Sequence, residues 1–117
     1  MQGKILNIDV HNAIILAAAP LLMLGPFLLA AGAGIGFLAF FLGAILIGTG
    51  LGGAGSSRTI SLTTQKSLEF AIGIALVGMG IASAVLDGGA GTTLLLIGFG
   101  GALLALSSIT RYAAPVS

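Results

Sequence analysis

Residues 50–66 read GLGGAGSSRTISLTTQK, a polar segment set between two long apolar halves. It carries Arg58 and Lys66, two of the chain's four basic residues. Outward from it, hydrophobic sequence runs on until a short glycine-rich break, at 32–36 on one side and 87–91 on the other. Two breaks and one polar segment leave four apolar runs, each near the ~20 residues that a helix needs to cross a hydrocarbon core. The expected fold is therefore all-α and membrane-integral. It is a four-transmembrane-helix bundle built as two helical hairpins, with residues 51–66 as a cytoplasmic connecting loop.

Composition supports the same class. Of 117 residues, 57% are apolar and 6% are charged, whereas a soluble domain carries about 25% charged residues. So few charges cannot coat a globule in water. The expected surroundings are the lipid bilayer and other membrane subunits or copies of the same chain. A net charge of +1 and the lack of a basic cluster argue against nucleic acid as a partner. The chain has no cysteine, which excludes disulfides and thiol chemistry.

Taken in order, Leu6, Ile8 and Val10 alternate with polar Asn7, Asp9 and His11, a period that fits a short strand or an interfacial segment. The first span is expected over 13–31. Its apolar run is longer than the core of a signal peptide, so it reads as a retained span. Pro20 and Pro26 lie inside it and should kink it without ending it. The second span is expected over 35–50; a merged reading would fuse the first two spans into one long helix. The third is expected over 67–86, with Ser67 as N-cap and Glu69 near the positive end of the helix dipole. The fourth is expected over 92–112.

The halves 5–50 and 59–112 align as a weak tandem repeat within a single membrane domain, 1–117. Leu6-Asn7-Ile8-Asp9 matches Ile60-Ser61-Leu62-Thr63, and Gly25 matches Gly80. Lys4, Arg58, Lys66 and Arg111 all fall on one side of a four-span chain, and the hairpin tips hold only Asp87. The positive-inside rule then puts both termini in the cytoplasm. The expected location is a prokaryotic plasma membrane.

Little in the chain points to chemistry. Gly50-Leu51-Gly52-Gly53-Ala54-Gly55 fits G-x-G-x-x-G, but a dinucleotide site needs a strand before that motif and a helix after it. His11 is the only histidine. With Asp9, Lys4, Arg58 and Lys66 it reads as a polar interfacial cluster, since a metal site needs three or four convergent ligands. Glu69 reads as an interfacial ion-pair partner of Lys66, three residues earlier. The competing reading makes it an intramembrane coupling site for protons or ions. No catalytic residue, cofactor or metal is expected.

The glycines have a packing explanation. Gly32, Gly36, Gly43, Gly48, Gly80, Gly98 and Gly101 belong to small-x-x-x-small pairs, which let helix backbones approach closely in lipid. Phe37, Phe40 and Phe41 cluster on the second span and suit a seam facing lipid or a partner. Ala31-Gly32-Ala33-Gly34-Ile35-Gly36 resembles the glycine-rich helix of rotary-ATPase proteolipids. That family carries a carboxylate midway along a helix, and no span here has one at that depth, so its function is not carried over. The expected function is that of a non-enzymatic structural or accessory subunit of a larger membrane assembly or self-assembling lattice. The alternative is a homo-oligomeric channel or small-solute transporter whose path would use Thr49, Thr92, Thr93, Ser107 and Ser108.

Overall fold

A computed structural model describes residues 7–29, 33–52, 61–86 and 89–110. Among them are four helices: α1 (Ile8–Leu28), α2 (Ala33–Gly52), α3 (Leu62–Val85) and α4 (Ala90–Ile109). All four are long and apolar enough to span a bilayer. At 1.5 Å of rise per residue each is about 30 Å or more in length, matching the hydrocarbon thickness. The protein is an all-α, multi-pass membrane bundle.

α1 packs along α2 and α3 along α4, giving two hairpins; these meet through the narrower α1–α4 and α2–α3 seams. The chain therefore runs up, down, up and down around the bundle, and the ends of α2 and α4 lie with the starts of α1 and α3. The merged reading of the first two spans is excluded, because α1 and α2 fold back on each other.

Several expected boundaries move. α1 starts at Ile8, so Ile8, Asp9 and Val10 are helical rather than extended. Asn7 caps it, its side chain accepting from the Val10 N–H at 2.9 Å. α3 starts five residues before the expected Ser67, and its cap is Ser61, which accepts from the Thr64 N–H at 3.0 Å. The polar run 62–66 is thus a first helical turn, and Asn7 and Ser61 cap their halves alike. α1 continues through Pro20 and Pro26. Gly89 opens α4 with φ +95°, a left-handed conformation that glycine adopts without steric cost. Lys4, Arg58, Asp87 and Arg111, on which the orientation rests, lie outside the described residues, as does Gly32.

The interior is filled by Ile15, Ala19, Leu22, Ala39, Leu46, Ile72, Leu76, Leu96 and Leu103. Glycines close two helix pairs. A Cβ at Gly43 would meet Met23 and stand 3.2 Å from the Ala19 carbonyl, and one at Gly80 would stand 3.0 Å from the Ile97 nitrogen. At Gly36 the neighbour is the Phe27 ring. Gly48, Gly98 and Gly101 differ: among the described residues nothing lies within 4 Å of a Cβ there. Their small-residue spacing is real, but they sit on outward faces. Gly73 and Gly100, which that spacing missed, bring the backbones of α3 and α4 together: a Cβ at Gly100 would stand 2.7 Å from the Gly73 carbonyl. Phe37, Phe40 and Phe41 are exposed, and Phe27 stacks edge-on against Phe37 and Phe40.

Candidate functional site: a buried His–Glu network at one end of the bundle

The inward stripe of α1 runs Ile8, His11, Asn12, Ile15, Ala19 and Leu22. That of α3 runs Gln65, Glu69, Ile72 and Leu76. Both follow the 3.6-residue period, so their polar positions lie in phase with the core. α2 brings Thr49 and α4 brings Ser107 and Thr110 to the same end. All seven polar side chains are buried, and Glu69 has no accessible surface.

At the centre, His11 Nε2 and Glu69 Oε1 are 2.5 Å apart. His11 Nδ1 lies 2.8 Å from Thr110 Oγ1, whose hydroxyl donates to the Leu106 carbonyl at 2.6 Å. The other Glu69 oxygen, Oε2, accepts from Thr49 Oγ1 at 3.1 Å and from Gln65 Nε2 at 3.2 Å. Gln65 Nε2 also donates to Asn12 Oδ1 at 2.5 Å. One connected network thus joins all four helices. Gln65 Oε1 is the one buried side-chain polar atom among the described residues without a partner.

This corrects the surface reading of the charged residues. Glu69 is enclosed at the bundle axis and bonded to His11, not exposed as an interfacial ion-pair partner. Its place on the inward stripe keeps its carboxylate off the surface. Lys66 is half-buried, with Nζ 5.9 Å from the Phe70 ring centroid. His11, expected in a surface cluster, is fully buried, whereas Asp9 is exposed. The hydroxyls offered for a transport path divide between two ends. Thr49 is in this network and Ser107 is buried at the same end, whereas Thr92 is buried at the far end and Thr93 donates there to Ser83 at 3.2 Å. Ser108 is exposed and bonds back to the Leu104 carbonyl.

No protein-family model, curated protein or solved structure matches this chain. The site must be read from its own geometry.

The described residues contain no group of three or more His, Cys, Asp or Glu side chains that could hold a metal. Chemically, the network can clasp four helices at one end and hold a proton between an imidazole and a carboxylate. Sequence reasoning missed Asn12, Gln65 and Thr110. The available signal was phase: Gln65 and Glu69, four apart, share the stripe of Ile72 and Leu76. In a bundle surrounded by lipid, polar residues mark the inside.

Proposed function

We propose that this protein is a non-enzymatic structural or accessory membrane subunit that assembles laterally with other membrane helices, its own copies or larger subunits. The observation that carries this reading is the outward face of α4. Gly98, Gly101, Ala102, Ala105 and Ser108 are exposed there at helical spacing, and Gly98 and Gly101 have open space above them. Lipid offers apolar helices little hydrophobic reason to associate, so close backbone approach over small residues is a main source of helix–helix attraction in a membrane. The clasp at one end and the apolar interior suit a rigid unit that presents such a face.

The test is the size of the complex that co-purifies in mild detergent. Gly98→Leu combined with Gly101→Leu should leave the bundle folded, since both positions are exposed with open space above them, and should reduce the assembly to single chains. Retention of the parent's complex by the double variant would reject this face as the assembly surface.

The buried His11–Glu69 pair favours the alternative, a channel or transporter coupled to protons. The apolar layer of Leu22, Leu46, Leu76 and Leu96 beyond the network supports it less. Robust acid-driven flux in reconstituted vesicles, lost in Glu69→Gln, would replace the assembly reading by this one.

A further inference from the structure

The hydrogen bonds around His11 fix where its hydrogens are. The Thr110 hydroxyl lies 2.6 Å from the Leu106 carbonyl, which can only accept, so its single hydrogen points there. Thr110 Oγ1 is then an acceptor towards the ring, and His11 Nδ1, 2.8 Å away, must be the donor. On the other side of the ring, Nε2 and Glu69 Oε1 stand 2.5 Å apart. Two bare lone pairs would repel at that separation, so one proton lies between them. The pair is either imidazolium with carboxylate or neutral imidazole with carboxylic acid. Both forms hold the same number of protons and have zero net charge, so the proton belongs to the pair.

We propose that His11 and Glu69 form a one-proton binding site that opens to one side of the membrane, at the end where α2 finishes and α3 begins. Emptying the site transfers the shared proton to water. It leaves an Nδ1–H imidazole and a carboxylate, and no other bond is broken. The emptied pair carries one negative charge and turns two lone pairs on each other, so the side chains separate and the clasp between α1 and α3 loosens. α2 and α4 contain no titratable residue within 33–52 and 90–110, and face the pair with the hydroxyls of Thr49 and Thr110. The other charged side chains on α1 and α3 are exposed Asp9 and half-buried Lys66 beside Phe70.

The entry side is marked by Gln65. It lies one helical turn nearer the start of α3 than Glu69 and donates to the Glu69 carboxylate. Its own Oε1 is buried and has no partner among the described residues. A buried acceptor without a donor is unfavourable, and a water or hydronium seated on it is one side chain from Glu69. In the other direction, Ile15, Ala19, Leu22, Leu46, Ile72, Leu76 and Leu103 provide no polar step. The proton enters and leaves by the same side, which gives proton binding without flux.

The test begins with the unmodified protein, because His11 is the only histidine in the chain. With ¹⁵N-histidine in a lipid bilayer, each ring nitrogen gives one signal per chain. Nδ1 is expected to stay protonated throughout the folded range, and Nε2 to change with pH in a one-proton step. In sealed vesicles holding the protein in one orientation, that step should follow the pH on the side where a cysteine at Thr63 is labelled. Gln65→Met, which removes the entry acceptor together with the amide that donates to Glu69, should slow the response. Glu69→Gln should abolish the step. A ring with bare Nδ1 and protonated Nε2, a signal insensitive to pH, or a response to the far side would each overturn the proposal. This outcome is separate from the assembly reading, because the ring signals report on single chains whatever their association.

Discussion

The Gly100 Cα faces the backbone of Gly73 so closely that a Cβ built on it would stand 2.7 Å from the Gly73 carbonyl oxygen and 2.9 Å from the Val77 nitrogen. Those atoms are main chain and cannot turn aside. The next residue, Gly101, looks outward.

Adjacent glycines should therefore respond oppositely to one methyl group. Gly100→Ala forces α3 and α4 apart and should cost about 1–3 kcal/mol, the usual range for overpacking a tight interior. Gly101→Ala meets nothing and should gain up to about 1 kcal/mol from helix propensity. Thermal unfolding in detergent measures both; equal behaviour of the two variants would contradict this packing.

His11 and Glu69 should be coupled in stability. Removing either partner alone leaves a buried polar group without its counterpart, and single His11→Leu or Glu69→Leu should cost about 3–5 kcal/mol. The double variant replaces the pair by apolar contact and should recover most of that loss. A double-mutant cycle by denaturant unfolding checks this, and additive losses would show that the two side chains act independently.

The matching caps give a smaller effect. Asn7→Ala and Ser61→Ala each remove the acceptor for a first-turn N–H and should each cost about 1 kcal/mol. Amide hydrogen exchange should rise at Val10 in the first variant and at Thr64 in the second. Unchanged protection would mean that these caps are dispensable.

Antiparallel helices place the starts of α3 and α4 on opposite sides of the bilayer. Cysteines introduced at Thr63 and Ala90, both exposed, should be labelled by a membrane-impermeant reagent from opposite faces of intact vesicles. Labelling of both from one face would refute the four-span arrangement.

Hydropathy over a run of residues is a local property, so the sequence by itself determined the four spans, their pairing into hairpins and the membrane environment. It did not determine which way each helix faces, because these helices are apolar around nearly their whole circumference and lipid is as apolar as a core. Gly100 and Gly101 are chemically alike along the chain, and only helix crossing separates them. Along the sequence the polar run at 62–66 reads as loop; the Ser61 cap and the inward phase of Gln65 and Glu69 carry α3 through it. The meeting of His11 with Glu69 depends on the register of α1 against α3, set by side-chain packing across the whole bundle. That register moved Glu69 from an expected surface pair with Lys66 to the bundle interior, where a carboxylate is stable only because an imidazole, a hydroxyl and an amide converge on it.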